Sequence, residues 1–465
     1  MTILLHCAHR IDELGEVPDA WVVFDGGVIA ASGSGLSTAP DVPARVDLGG
    51  ARLVPGFLDL HGHGGGGHAY DDGGAELLAA LAAHRAHGTT RSVISLVANP
   101  LGKLRERLSE IAALTALDPL VLGSHLEGPF LAPGQRGAHH PDFLRLPDPT
   151  ALDTLLAAAD GTLRQLTLAP ELPGALELIG ELVASGVTVA VGHTEADLET
   201  ARAAFDAGAR MLTHAFNAMP GIHHRAPGPV LAALDDPRVT LELILDGQHV
   251  HPEVAALLFT AAHDADGRGR VALITDAMAA AGAVDGDYRL GSLNVSVREG
   301  LAVLSGTSRI AGSTLTQDVA LRHAIDLVGL PPAVAVAALT AVPARALGLG
   351  DRFGLLEPGY AADAVALAQT APCCASGPTA ANSRPECLLA ACSPRPQPAA
   401  LTGRGQFLPA YEDQQSATAC TSRAAGTPQK RRRTKGTSAR SRAGCPTRSG
   451  SSRRAAAARR PPRRR

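Results

Sequence analysis

From Leu53 onward the chain alternates short β-rich runs with Ala- and Leu-rich helical stretches, and this alternation restricts the available folds more than any other feature. A strand that leads through a helix to another strand returns parallel to the first. Repeated β–α units therefore make a parallel sheet whose faces are covered by helices. Eight strands are expected, at 53–60, 91–97, 120–126, 165–169, 187–192, 210–213, 239–245 and 270–275. Helices are expected at 101–117, 171–186, 194–209, 251–265 and 313–329. Eight such units over about 300 residues predict an α/β protein of the (β/α)8 TIM-barrel type. The rival, a doubly wound open sheet, binds nucleotides through a Gly-rich first turn that opens a helix. Gly64 to Gly67 follow the first strand, but no G-x-G-x-x-G opens a helix there, so the barrel is favoured.

The two ends of the chain read differently. Residues 1–52 look like short strands and turns, with a hairpin from Trp21 to Ile29 around Asp25-Gly26-Gly27. β-like text returns at 354–367 (GLLEPGYAADAVAL), and periodicity collapses after Ala368. The net charge of −3 conceals this break: 23 basic and 42 acidic residues precede residue 371, and 19 basic and 3 acidic residues follow it. Cys7 lies in the body, whereas Cys373, Cys374, Cys387, Cys392, Cys420 and Cys445 lie in the tail. A body with one cysteine has no disulfide framework and fits a reducing compartment. No apolar run is long enough to span a bilayer, and Met1 to Glu13 lack the flank and core of a signal peptide, so the expected location is cytoplasmic.

Residues 371–465 cannot bury enough apolar surface to offset their ordering entropy, and a disordered basic tail is expected there. The abrupt change motivates the hypothesis of a reading-frame shift near 366–372; an intact frame on resequencing would sink it. Read as genuine, the tail has 17 basic residues at or beyond Arg404 and would bind nucleic acid non-specifically. No aromatic interleaving supports a sequence reader, so nucleic acid is not the expected partner.

In a barrel, chemistry sits at the C-terminal ends of the strands. The first expected strand ends in Asp59-Leu60-His61-Gly62-His63, and the third runs into His125-Leu126-Glu127-Gly128-Pro129. The fifth ends in Gly192-His193-Thr194, the sixth in Thr213-His214 and the eighth in Thr275-Asp276-Ala277. Each piece alone has a bland reading: a His-x-His pair can simply pack on one strand face, and a Glu before Gly-Pro can be a turn. Five strand ends aimed into one mouth point instead to a metal centre. Nitrogen and oxygen donors without thiolate suit one or two divalent ions, zinc or iron. Such an ion acidifies a bound water and polarises a carbonyl. Asp276 then fits the general base, returning the proton to a leaving amine.

The segments PGFLDLHGHGGGG (55–67), HLEGPFLAPGQRGAHH (125–140), VGHT (191–194), THAFNAMPGIHHRAPG (213–228), LILDGQHV (243–250), ITDA (274–277) and AGSTLT (311–316) resemble the N-acetylglucosamine-6-phosphate deacetylase family of the amidohydrolase superfamily. The resemblance runs to about residue 367. It implies the metal-bearing barrel at 53–350 plus a small β-domain built from the N-terminal and C-terminal segments, 1–52 and an incomplete 351–370. It places Glu127, His193 and His214 as principal metal ligands and Asp276 as the catalytic acid/base. His61 and His63 match a pair that holds a second metal in some members. His249 matches a histidine near the scissile amide. Ala138, His139, Asn217, Ala218, Ile310, Ala311 and Gly312 match substrate contacts, and Arg225 matches the phosphate-binding position. Guanidinium geometry agrees with that last role.

The implied reaction is hydrolysis of N-acetylglucosamine 6-phosphate to glucosamine 6-phosphate and acetate, in amino-sugar salvage. Another N-acetylhexosamine phosphate is the alternative substrate, and a catalytically dead sugar-phosphate-binding relative is a third reading. The family includes homodimers. Relatives that bridge two metals with a carboxylated lysine are excluded, because the fourth strand ends Leu168-Ala169-Pro170-Glu171 and Lys103, Lys430 and Lys435 are the only lysines.

Overall fold

The computed structural model describes residues 2–367. The expected tail at 371–465, its six cysteines and most of the interval of the expected frame shift lie outside the described residues. The central sheet contains β1 (Phe57–Asp59), β2 (Thr89–Val97), β3 (Val121–Glu127), β4 (Leu163–Leu168), β5 (Thr188–Val191), β6 (Met211–Leu212), β7 (Thr240–Ile244) and β8 (Val271–Ile274). Each strand pairs in parallel with the next, in chain order. Just beyond β1 and β8 the ends meet: the Asp276 N–H donates to the His61 carbonyl at 2.8 Å, and the His63 N–H to the Ala277 carbonyl at 2.7 Å. Below them the Thr275 hydroxyl donates to Asp59 at 2.6 Å. The sheet is thus a barrel, held at this seam by the residues that open its mouth.

Strand alternation sorts the side chains. In β3 and β7, Leu126, Leu241 and Leu243 lie buried in the main apolar core, which includes the surrounding helices. His125 and Glu242, one position away, reach across the interior to Thr167 and Gln165 of β4. The expected helices are present as Leu101–Leu117, Ala175–Ala184, Leu198–Ala207, Pro252–Ala261 and Gln317–Asp326. Gly74–Ala86, Pro149–Ala159, Gly228–Asp235, Pro332–Leu339 and Ala341–Ala346 are further helices. Local chemistry starts some of them: Asp148 accepts from the Thr150 N–H at 3.0 Å ahead of Pro149, and Asp197 accepts from Thr200 at 2.9 Å.

The strand expected at 53–60 is two strands. Arg52–Pro55 belongs to a separate sheet with Ile3–Asp12, Gly15–Asp25, Val28–Ser34, Ala44–Asp47 and Ala364–Leu367, whereas β1 enters the barrel. Gly56 makes the change of sheet: its N–H donates to Asp363, and a Cβ there would overlap the Thr90 side chain. The smaller sheet draws on both ends of the described chain and packs Leu5, Val22, Phe24, Ile29, Leu53 and Leu356 into its own core. Arg91 of β2 ties it to the barrel, with Nε 2.5 Å and Nη2 3.1 Å from the Asp363 carboxylate.

After β8 the chain forms an antiparallel meander, Gly286–Leu290, Leu293–Arg298 and Leu301–Leu304. Its apolar face packs Leu290, Val295 and Val297 with Val97, Met278 and Ala311 beside the barrel mouth.

Candidate active site

Glu127, the last residue of β3, sits at the centre of a ring of imidazoles. Its Oε1 lies 2.9 Å from His193 Nε2, 3.2 Å from His214 Nε2 and 3.4 Å from His61 Nε2. Its Oε2 lies 3.2 Å from both His63 Nε2 and His139 Nε2. Asp276 Oδ1 completes the ring, 3.3 Å from His63 Nε2 and 3.6 Å from His61 Nε2. All are at least nine-tenths buried.

Sharp bends at the strand ends produce this convergence. His193, His214 and Asp276 have φ of 49°, 27° and 45°, in the left-handed region that costs non-glycine residues of order 1–3 kcal/mol. Gly192 lets the bend at His193 form, because a Cβ would meet Thr213 and Thr167 at 2.6 and 2.9 Å.

Two pairs of ring nitrogens face each other at hydrogen-bond distance, His61 Nε2 with His63 Nε2 at 3.2 Å and His193 Nε2 with His214 Nε2 at 3.0 Å. Two lone pairs repel at this distance; a proton or a cation between them relieves the repulsion. The donor set, imidazole and carboxylate without thiolate, fits a divalent ion. The candidate groups are His61, His63 and Glu127 on one side, and Glu127, His139 and His193 on the other.

Hydrogen bonds to the opposite ring nitrogens distinguish ligands from donors. His61 Nδ1 faces Glu242 Oε2 at 3.1 Å, and His193 Nδ1 faces the Gln135 carbonyl at 2.9 Å. Both acceptors hold a proton on Nδ1, so in the neutral rings Nε2 is a lone pair aimed at the cluster. His139 is the reverse: the Ala98 N–H donates to its Nδ1 at 3.1 Å, so the neutral ring carries its proton on Nε2, towards Glu127. In that neutral form His139 presents an N–H, and not a lone pair, to the centre. His125 has both ring nitrogens engaged, with Ser95 and Thr167 at 2.9 Å each, and stays below the mouth.

Charge follows geometry. Burial pushes the Glu127 carboxyl up, but His61, His139 and His193 outweigh it and hold it well below the usual carboxylate range. Burial likewise opposes the charge on Asp276, and the His63 hydrogen bond with the nearby His61 charge brings it below its ordinary value. Burial disfavours a charged His63, yet Asp276 and Glu127 raise it to about 9. Burial dominates at His139, which falls to about 4 despite Glu127 and is neutral at pH 7. His249 is raised against burial by Asp246, whose Oδ2 lies 2.7 Å from its Nδ1.

These groups open into a cavity of about 290 Å³. His63, Glu127, Ala138, His139, His193, His214, Asn217, Ala218, His249, Asp276, Ile310 and Gly312 all line it. His61 lies wholly buried behind them, and Ala311 is turned into the core beside the meander. Arg225 lies on the exposed stretch 221–226 and does not line the cavity. Its guanidinium has no hydrogen bond or ion pair among the described residues, where its only bond is through the backbone N–H to His223.

Sequence reasoning missed Glu242, Gln135 and Arg309. A lone carboxylate in the otherwise apolar run Leu241–Ile244 was a readable signal for Glu242. Gln135 acts through its carbonyl, which carries no residue signature. Arg309 lines the cavity and donates to the Gly137 carbonyl at 2.9 Å, a closeness made by the meander.

Residues 52–387 match the amidohydrolase family. An N-acetylgalactosamine-6-phosphate deacetylase of Escherichia coli O157:H7 is 40% identical over 79% of this chain and 95% of its own length. An N-acetylglucosamine-6-phosphate deacetylase of Vibrio furnissii is 37% identical over 75% of this chain and 87% of its own length. The structure of a mutant N-acetyl-D-glucosamine-6-phosphate deacetylase from Mycobacterium smegmatis, in complex with N-acetyl-D-glucosamine-6-phosphate, is 43% identical. It superimposes with a TM-score of 0.74 over 79% of this chain and 95% of that one. With a parallel barrel closed between β1 and β8 and a Glu–His centre in its mouth, the chain belongs to the amidohydrolase family, alongside the N-acetylglucosamine-6-phosphate deacetylases.

Proposed function

We propose that this protein hydrolyses the acetamide of N-acetylglucosamine 6-phosphate, releasing acetate and glucosamine 6-phosphate in amino-sugar salvage in the cytoplasm. The carrying observation is the placement of Asp276 beside the Glu127–imidazole cluster at the floor of the cavity. Glu127, His193 and His214 would hold one divalent ion, zinc or iron. His61 and His63 would hold a second, with Glu127 shared between the two. Such an ion supplies Lewis acidity to the attacking water and the amide carbonyl.

The chain's own groups do the rest. Asp276, with Oδ1 3.3 Å from His63 Nε2 beside the proposed ions, accepts the proton of the attacking water and passes it to the amine as the C–N bond breaks. His139, whose Nε2–H faces Glu127 Oε2 at 3.2 Å, holds that carboxylate in place and borders the substrate. His249, fixed by Asp246, orients the sugar beside the amide, and Asn217, Ala218, Ala138 and the 310–312 loop shape the rest of the pocket. Arg225, with an uncommitted guanidinium, takes the phosphate. A homodimer is the proposed assembly.

The test is acetate release by the purified full chain with added Zn²⁺ or Fe²⁺, beside Asp276→Asn. N-acetylgalactosamine 6-phosphate is the second arm, because one relative bears that name. Preference for the glucosamine isomer supports the proposal; preference for the galactosamine isomer moves the assignment to that sugar. Absence of turnover of both by metal-loaded protein would defeat the proposal.

A further inference from the structure

Glu242 is wholly buried, and its only ion-pair partner among the described residues is His61. It projects from the middle of β7 into the barrel interior. Gln165 Nε2 donates to its Oε1 at 2.7 Å, His61 Nδ1 lies 3.1 Å from its Oε2, and the His214 backbone N–H donates to the same Oε2 over a long 3.4 Å. A carboxylate removed from water needs compensating charge, and neither a guanidinium nor an ammonium group supplies it here. The charge balance of the centre supplies the reason for its presence. Glu127 and Asp276 together carry two negative charges, which neutralise one divalent ion. With Glu242 the three carry −3, one charge more than a single divalent ion offsets, so the third carboxylate favours binding of a second cation.

The position of Glu242 makes the effect local. Its acceptor oxygen keeps the His61 proton on Nδ1 and makes Nε2 an electron-rich lone pair facing His63 and Glu127. His63 Nδ1 and His214 Nδ1 have no hydrogen-bond partner, and His193 Nδ1 has a neutral carbonyl. Among the described residues, His61 is therefore the ring of these four whose far nitrogen is backed by a formal charge; Glu242 meets His214 at its backbone N–H and not at its ring.

We infer that Glu242 is the positioning residue for the second metal position, and that its charge sets occupancy at His61 and His63 without governing the ion held by His193 and His214. This inference rests on the two-ion reading above.

The experiment titrates metal-stripped, full-length protein with Mn²⁺, which favours oxygen and nitrogen over thiolate and so keeps the cysteines out of the count. Bound ions are counted from the loss of the free-ion EPR signal, and a spin-coupled pair reports the second position directly. Wild type should bind two ions and show the coupled signal. Glu242→Gln, which keeps shape and an acceptor but loses charge, should weaken the second ion by about 10- to 100-fold, leaving the first unchanged. Glu242→Leu should weaken the second further. A Glu242→Gln protein that binds both ions as wild type does, or that loses both in parallel, overturns the inference. Should that variant not fold, Gln165→Met, which frees one oxygen of Glu242, should weaken the second ion by a smaller factor; unchanged binding there overturns it equally. A wild type that binds a single ion defeats the two-ion reading itself, an outcome distinct from either variant result.

Discussion

The backbone N–H of Asp276 donates to the carbonyl of His61 at 2.8 Å, so the proposed catalytic carboxylate is tied to a histidine of the proposed metal centre across the seam of the barrel. The two side chains then meet on the other side of that bond, with His61 Nε2 3.6 Å from Asp276 Oδ1. The same seam closes the barrel and joins two groups of the site.

Asp276→Asn should therefore separate chemistry from folding. Asparagine tolerates the left-handed backbone at this position as aspartate does, and it keeps the seam hydrogen bond. It cannot accept a proton. The rate of acetate release should fall by about 10²- to 10⁴-fold, with the melting temperature close to that of wild type. A variant retaining a tenth or more of the wild-type rate would remove Asp276 from this role.

Arg225→Ala tests the phosphate contact. The exposed guanidinium makes no internal bond, so its loss should leave stability unchanged. A charge-assisted hydrogen bond contributes about 1.5–3 kcal/mol, so KM for the phosphorylated sugar should rise about 10- to 100-fold. The corresponding unphosphorylated N-acetyl sugar should be turned over equally by both proteins. Equal KM values for the phosphate ester would show that another group, with Arg309 the nearest candidate, holds the phosphate.

Asp363→Ala should destabilise the protein strongly. It leaves Arg91, 8% exposed, without the carboxylate that neutralises it between the two sheets. Breaking a buried pair from one side costs about 3–5 kcal/mol. Urea unfolding of both proteins gives the difference directly; a cost below about 1 kcal/mol would place the pair among the weak surface contacts.

Asp318 makes a pH-dependent contribution away from the metal. Burial pushes its carboxyl up, but His87, Thr316 and Arg322 hold it well below the ordinary range. A folded pKa below the unfolded value of about 3.9 gives stability that is complete above that pH and lost as pH falls through the folded pKa. Asp318→Asn should thus lower the melting temperature at pH 7, and the gap to wild type should shrink at pH 3. A gap independent of pH would mean that the carboxylate charge contributes nothing.

Much of the fold was legible because strand and helix periods are local properties. All eight barrel strands fall where alternation placed them, although the run at 53–60 proved to serve two sheets. That split depends on what Gly56 meets, the Thr90 side chain, and no local pattern carries such a contact. The meander was readable in principle, since Gly291-Ser292 and Glu299-Gly300 are two-residue turn signals between alternating runs.

The sequence by itself determined which chemical groups end the barrel strands, because the β/α repeat puts every strand's C-terminal end at the same mouth. Only the tertiary structure decided what each group does there. His125 and Glu127 stand two residues apart on one strand face, yet Ser95 and Thr167 occupy one ring while five imidazoles surround the carboxylate. His139 and His193 both border Glu127, yet in their neutral forms the Ala98 N–H makes one present an N–H to it and the Gln135 carbonyl makes the other present a lone pair. The physical reason is that a histidine's role is set by the partner of its far nitrogen, and that partner comes from a part of the chain remote in sequence.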